Sequence, residues 1–337
     1  MNEYIIALDA MGGDKAPEAI IRGGVEALKR YPDVRILFAG PKERLEGLLV
    51  DAGDVRERVE ILPAEEVITM NESPMLAVRK KAHSSLVQAM LAVREKRAGA
   101  VVSAGSTGAV LAGGMLRIGR IPGIERPALA VVLPGTKKPF LLLDAGANVD
   151  CQARYLVQFG LMGSVYMHGV LGVEDPGVGL VNIGAEAEKG NKVSKETYQL
   201  MQAQTSFRFV GNVEARDIPS GEHDVVVADG FDGNIILKYT EGLASAMMSM
   251  LKENLMASPL TKVGAALSKP AFRKFKTSLD YNAYGGAPLL GVEGAVVKAH
   301  GSSGETAIMN AVRQAREMLV SDLTGKIREG LAGLEQA

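Results

Sequence analysis

Short apolar, β-branched runs recur along the chain at residues 5–8, 35–38, 59–62, 100–102, 179–181 and 224–227, each stopping at a small or polar loop. Runs of that length predict strands buried on both faces. Between several of them the apolar residues fall three and four apart. Residues 17–30 carry Ile20, Ile21, Val25 and Leu28, and residues 76–96 carry Val78, Leu86, Val87, Met90 and Leu91. That spacing predicts amphipathic helices. Alternation of the two patterns predicts an α/β fold, a mostly parallel, doubly wound sheet with helices on both faces in three α/β/α layers.

The alternation breaks once. Residues 129–133 and 140–143 are two apolar runs joined by Pro134-Gly135-Thr136-Lys137-Lys138, too short for a helical crossover, so they predict an antiparallel hairpin where a second lobe begins. A chain of 337 residues accommodates two lobes. They are expected at 1–125 with 295–337, and at 126–294. Residues 98–115 carry no charge, yet Gly105, Gly108, Gly113 and Gly114 among Ser103, Ser106 and Thr107 predict a buried strand, a tight turn and a helix start rather than a membrane span.

The segment after Asn234 differs from the rest. Residues 235–256 predict a long methionine-rich helix whose apolar side carries Leu243, Met247, Met250, Leu251 and Leu255. Pro259 and Pro270 then interrupt the chain around Leu260, Val263 and Leu267, with Lys262, Lys269, Arg273, Lys274 and Lys276 close by. A helical protrusion around 240–276 is expected. Met247, Leu255, Leu260, Val263 and Leu267 would meet an acyl chain or an anionic lipid surface, and a dimer interface with a basic rim is the alternative.

In an open parallel sheet ligands bind where strands end, so the chemistry should follow the apolar runs. Asp9 to Asp14, Ser103 to Gly108, Asp144 to Asn148, Asn182 to Gly184, Asp229 to Asn234 and Lys298 to Ser303 are the six loops that do so, and they are expected along one edge. Glycine admits a ligand close to the backbone, and amides at a helix start suit a phosphate or an oxyanion.

Charge and composition narrow the picture. Lys and Arg number 38 against 39 Asp and Glu, so no global field gathers nucleic acid, and any anion is held locally. One cysteine, Cys151, excludes an internal disulfide framework. The amino terminus shows no basic stretch, apolar run and cleavage site, which predicts a cytoplasmic chain. Dinucleotide, P-loop and nucleophile-elbow spellings are absent. His83, His168, His223 and His300 lack metal-ligand spacing, so neither metal nor cofactor is expected.

Together Asp9-Ala10-Met11-Gly12-Gly13-Asp14, Ser103-Ala104-Gly105-Ser106-Thr107-Gly108, Asp144-Ala145-Gly146-Ala147-Asn148, Asn182-Ile183-Gly184, Lys189-Gly190-Asn191, Asp229-Gly230-Phe231-Asp232-Gly233-Asn234 and Tyr284 to Gly291 resemble the bacterial acyl-acyl carrier protein:phosphate acyltransferases, the PlsX family. The resemblance covers nearly the whole chain and departs from the family pattern at residues 79–85, around His83. It implies conversion of acyl-acyl carrier protein and orthophosphate into acyl phosphate, early in phosphatidic acid synthesis. It also implies a homodimer with a fold akin to phosphotransacetylases and isopropylmalate dehydrogenases.

In that scheme Gly12, Gly13, Gly105, Ser106, Thr107 and Gly108 hold phosphate while Lys298 or Lys189 offsets its charge. Asn148, Asn234 or His300 meets the oxyanion, and His300 is also a proton donor. Asp9, Asp144 and Asp229 orient, as does Asn182. Arg79, Lys80, Lys81, Arg273, Lys274 and Lys276 are carrier-docking residues. A downstream glycerol-3-phosphate acyltransferase and peripheral attachment to the inner face of the membrane complete the expected setting. Competing readings are a phosphotransacetylase using acyl-coenzyme A and a non-catalytic acyl or phosphate sensor. A metal-dependent decarboxylating dehydrogenase is weakest, because Asp229 and Asp232 offer too few ligands.

Overall fold

A computed structural model describes residues 3–278 and 284–334; the side chains of residues 274 and 276–278 lie outside the described set, and with them the docking expected of Lys274 and Lys276. The first half follows the predicted alternation: β1 (Tyr4–Asp9), α1 (Glu18–Arg30), β2 (Val34–Gly40), α2 (Lys42–Leu48), β3 (Val59–Pro63), α3 (Pro74–Lys80), α4 (Ser85–Arg94), β4 (Ala100–Ser103) and α5 (Thr107–Gly113). The hairpin forms as β5 (Ala128–Leu133) and β6 (Phe140–Leu143), with Ala130 opposite Leu143 and Leu133 opposite Phe140. There follow α6 (Ala153–Leu171), β7 (Gly177–Asn182), α7 (Lys192–Gln202), β8 (Arg208–Glu214), β9 (Val225–Val227) and α8 (Gly230–Leu255). The chain closes with α9 (Pro259–Leu267), α10 (Lys269–Ser278), β10 (Ala287–Leu290), β11 (Ala295–Lys298), α11 (Glu305–Val320) and α12 (Leu323–Leu334).

The strands form one 11-stranded sheet ordered β3-β2-β1-β4-β11-β10-β5-β6-β9-β7-β8. Its polarity reverses across the centre. β3, β2, β1, β4 and β11 are mutually parallel. β10 is antiparallel to β11 and to β5, and β5 is antiparallel to β6, beyond which β9, β7 and β8 continue parallel to β6. The two halves therefore point opposite ways. This corrects the expectation of six loops along one edge: those after β1, β4 and β11 gather at one end of the strands, and those after β6, β9 and β7 at the other.

Successive strand residues face opposite sides of the sheet. Ile6, Leu8, Ile36, Phe38, Leu141 and Val225 share one core with α1, α6, α11 and α12. On the other face Ala7, Leu37, Val101 and Val296 pack under α3, α4 and α5, whereas Val131, Leu142 and Val226 form a separate cluster under Leu237 of α8. Each fully buried Ile, Leu or Phe contributes about 1.5–3 kcal/mol, so the sheet core dominates stability.

Two helices depart from the expected pattern. The single helix predicted over 76–96 is two, because Lys81 leaves the helical path: its ammonium donates to Val67 O at 2.7 Å and to Glu72, and Ser84 Oγ donates to Lys81 O at 2.8 Å. The long helix begins at Gly230 rather than near 235. Within α8 the buried residues are Gly230, Gly233 and Leu237, and α9 buries none, so α8 leaves the body after its second turn and α9 and α10 fold back along it. Among the described residues no helix is long and apolar enough to cross a membrane.

Candidate active site

Three loops of the first half are locked to one another. Asp9, only 2% exposed, accepts hydrogen bonds from Ser85 Oγ at 2.6 Å and Ser103 Oγ at 2.7 Å, and Gly105 N donates to Ser103 Oγ at 3.0 Å. Burial pushes the Asp9 carboxyl above its ordinary range, opposed by the two serine hydrogen bonds and then by the backbone N–H groups of Met11 and Gly12. Gly12 must lack a side chain, since a Cβ would fall 2.5 Å from Asp9 Oδ2 and 2.8 Å from Gly105 N. Gly13 has φ +102 and lies against Ala104 and Gly301, and Asp14 N donates to Gly301 O at 2.8 Å. Gly108 is a packing glycine instead: a Cβ there would meet Pro74 Cγ at 2.6 Å, where α3 crosses α5.

The second half is organised around Asp144. Its carboxylate accepts from the backbone N–H groups of Leu129, Gly146, Ala147 and Asn148 at 2.7–3.2 Å and from Asn148 Nδ2 at 2.9 Å. Burial raises this carboxyl as well, and the N–H donors pull it back. The first turn of α8 rests on that loop. A Cβ on Gly233 would fall 1.9 Å from Asp144 O, and one on Gly230 would fall 2.5 Å from Asn148 O. Asp229 caps the helix, accepting from Asp232 N at 2.8 Å.

Although the two loop sets lie at opposite strand ends, residues from both open onto one hollow. The strands between them, β10 and β5, are only 4 and 6 residues long, so the ends lie within about 20 Å. The hollow, about 260 Å³, is floored by Leu129, Val131 and Ala287 and walled by α8. Thr107, Lys298 and His300 reach it from the first half; Ala145, Gly146, Asn234, Lys238 and Glu241 reach it from the second.

Lys298, only 8% exposed, is pushed down to about 8 by burial and by nearby Lys238, with Asp14 and Asp9 opposing. Its ammonium donates to Ala299 O. Nδ1 of His300 accepts from Ser302 N at 3.2 Å and lies 2.8 Å from Ser302 Oγ. With Nδ1 accepting, the ring carries its proton on Nε2, a donor left for a ligand. Asn234 stands exposed at the start of the second turn of α8, and among the described residues no hydrogen bond occupies its amide. Apolar floor, cation, imidazole N–H and carboxamide suit a group with an apolar tail and an anionic or carbonyl head.

Several predicted residues stand elsewhere. Both amide hydrogens of Asn148 are spent, on Asp144 and on Pro127 O at 2.8 Å, so it holds the loop and cannot also meet an oxyanion. Asn182 holds the turn after β7, donating to Lys189 O and accepting from Ile183 N. Lys189 is exposed on that turn and does not line the hollow. Asn182 and Asp229 instead line a second hollow of about 610 Å³ on the far side of the first turn of α8, with Asp150, Cys151 and Asp232. Burial pushes the Cys151 thiol up to about 12, so it is no nucleophile at neutral pH.

Of the docking residues, Arg79 and Lys80 are exposed and Lys81 is tied to Glu72. Ser85 and Asp14 fell within stretches noted in the sequence without a role of their own, and Lys238 and Glu241 were not noted. Helical spacing carries the signal for the last two, since 234, 238 and 241 share a face. Among the described residues no group of three metal-ligating side chains occurs.

Comparison with known proteins adds three findings. A family described as fatty acid synthesis protein matches residues 4–326. Phosphate acyltransferases from Clostridium botulinum (strain Loch Maree / Type A3) and Clostridium perfringens (strain SM101 / Type A) are 51% and 50% identical over 330 and 324 residues, covering 98% and 96% of both chains. Among solved structures, a phosphotransacetylase from Streptococcus pyogenes superposes with a TM-score of 0.63 at 16% identity over 94% of each chain. A branched-chain phosphotransacylase from Enterococcus faecalis gives 0.56 at 14% over 94% of this chain and 99% of that one. At that identity these two share the fold.

Proposed function

Because the chain belongs to the fatty acid synthesis protein family and is a phosphate acyltransferase, we propose that it forms acyl phosphate from acyl-acyl carrier protein and orthophosphate, for phosphatidic acid synthesis. The observation that carries this reading is the meeting of buried Lys298 with the exposed His300 and Asn234 over an apolar floor.

Lys298 holds hydrogen phosphate beside the thioester, with Thr107 and the amides of the 103–108 loop as neutral donors. One phosphate oxygen forms the new O–C bond as the carbonyl π pair moves onto oxygen; when that tetrahedral oxyanion collapses the C–S bond breaks, and the electron pair of that bond leaves on sulfur. The proton of hydrogen phosphate ends on the thiolate. Lys298 relays it, since an ammonium held at about 8 is close to an ordinary thiol at about 8.5. Nε2–H of His300 and the amide of Asn234 meet the oxyanion. Losing one such donor typically removes about 3 kcal/mol of transition-state stabilisation. Asp9 and Asp144 hold the loops, and neither acts as a base.

Incubation with palmitoyl-acyl carrier protein or palmitoyl-coenzyme A and labelled phosphate, followed by hydroxylamine trapping, tests reaction and donor together. Hydroxamate from the carrier donor is expected. Hydroxamate from the coenzyme A donor alone would make the protein a phosphotransacetylase, and none from either would sink the reading.

The same reading extends to the surface. Exposed Ile235, Tyr239 and Leu243 on the outer face of α8 are the proposed homodimer contact, and exposed Leu260, Val263 and Leu267 the contact with an anionic membrane. Arg79, Lys80 and Arg273 are proposed to dock the acidic carrier. Leu260→Glu with Val263→Glu should stop liposome flotation and leave the sedimenting mass unchanged; flotation that persists removes the membrane contact.

A further inference from the structure

One face of α8 lines two separate hollows. Asn234, Lys238 and Glu241 line the catalytic one; Ser245, Met248, Ser249, Lys252 and Leu255 line a groove enclosed by α8, α9 and α10. At about 100° per residue all of them lie within roughly 60° of Asn234 around the helix, and the track from Asn234 to Leu255 is about 30 Å long. The groove measures about 580 Å³, within the range of sites that bury a small ligand. Met248, Leu255, Ala266 and Phe272 make its wall apolar, and Lys252, Lys262 and Lys269 stand around it. Residues 245–278 hold six lysines and arginines against one acid, Glu253.

The catalytic hollow, about 260 Å³, is too small to enclose a phosphate and a long chain together. The second hollow beside the first turn of α8 is lined by Asp150, Asp229 and Asp232, the wrong sign for an anionic head. The structure assigns the groove among α8, α9 and α10 to a single-chain amphiphile with an anionic head, of the acyl phosphate or fatty acid class, its chain among Met248, Leu255 and Phe272 and its head against Lys252, Lys262 and Lys269. As a place for this enzyme's own product, the assignment rests on the reading of acyl phosphate synthesis above. The shared face of α8 is the track along which the chain leaves the reaction centre.

The chain contains no tryptophan, so Phe272→Trp in the full-length protein places a single reporter in the groove. 9,10-Dibromostearate, titrated below its micelle concentration, quenches on contact. Saturable quenching is expected, abolished when Ala266→Phe fills the groove and shifted about tenfold to higher ligand by Lys252→Gln, Lys262→Gln and Lys269→Gln together. Circular dichroism confirms that each variant is folded. Quenching that does not saturate, that neither substitution moves, or that occurs only with dibrominated phosphatidylcholine vesicles would overturn the assignment. The readout needs no turnover. Quenching without acyl phosphate synthesis removes the enzymatic reading and keeps the groove, and synthesis without quenching does the reverse.

Discussion

Asp9 and Asp144 end strands in opposite halves of one sheet, both almost fully buried and both supporting loops of the same hollow, yet they are satisfied by different chemistry. Asp9 is met first by serine hydroxyls, from Ser85 and Ser103, and more weakly by the backbone N–H groups of Met11 and Gly12. Asp144 is met only by N–H groups, four from the backbone and one from Asn148. A hydroxyl can turn to donate or accept, so the first half tolerates a change of charge at its centre. Backbone amides cannot turn. The second half is therefore built for an anion, and it is also the half that supports the first turn of α8.

Asp144→Asn should be the most disruptive isosteric change in either half. An amide would set its own NH2 against N–H donors, leaving buried groups unpaired, and each lost hydrogen bond to a charged acceptor costs about 1.5–3 kcal/mol. A total near 4 kcal/mol is expected in urea unfolding, with loss of acyl phosphate synthesis because Asn234 moves with α8. Stability within about 1 kcal/mol of the parent would show that the two carboxylates are equivalent after all.

His300→Ala comes next and acts on rate. It should reduce kcat about a hundredfold, near 3 kcal/mol, with little change in melting temperature, since the ring is exposed and bonded only to its own turn. A variant that loses stability in proportion to rate would make His300 a turn residue.

Lys298 adds a pH signature. Its ammonium is held at about 8, so kcat/KM referred to the hydrogen phosphate dianion should be level below that value and fall above it as the charge is lost. Lys298→Arg keeps its charge and should lack the alkaline limb; a limb unchanged in that variant would assign it to another group. At pH 9 the expected loss in the parent is about tenfold, roughly 1.4 kcal/mol.

The sequence showed the strands because short apolar runs ending in small or polar loops have few other meanings, and the hairpin because five residues cannot hold a helix. What it concealed was direction. β10, residues 287–290, is a short run inside a glycine-rich segment and reads as loop, yet its two antiparallel pairings, with the hairpin, set the halves pointing opposite ways. Likewise Asn148 is spelled like a catalytic amide, and only folding brings Asp144 and Pro127 to use up its hydrogens. The position of Lys298 at the hollow, by contrast, was legible, because a lysine ending an apolar strand points to the strand-end edge.

The smallest effect is expected at Asp9. In Asp9→Asn the carbonyl oxygen accepts from one serine and the amide donates to the other, which rotates to receive it, so both hydroxyl contacts survive without a buried charge and only the weaker approach of the Met11 and Gly12 N–H groups is given up. A stability change of about 1 kcal/mol or less should follow at neutral pH, a fraction of that for Asp144→Asn. The difference should also depend on pH with a definite sign. Burial raises the Asp9 carboxyl, so as pH falls from neutral towards the ordinary aspartate value, about 4, the folded parent takes up a proton before the unfolded chain does and gains stability that the asparagine variant lacks. The parent should therefore improve on the variant as the solution becomes acidic in that window. Ser85→Ala should remove this tolerance by leaving one carboxylate oxygen without its hydroxyl. Parallel pH profiles for parent and Asp9→Asn would mean that Asp9 is held as rigidly as Asp144, and the contrast between the two halves would fail.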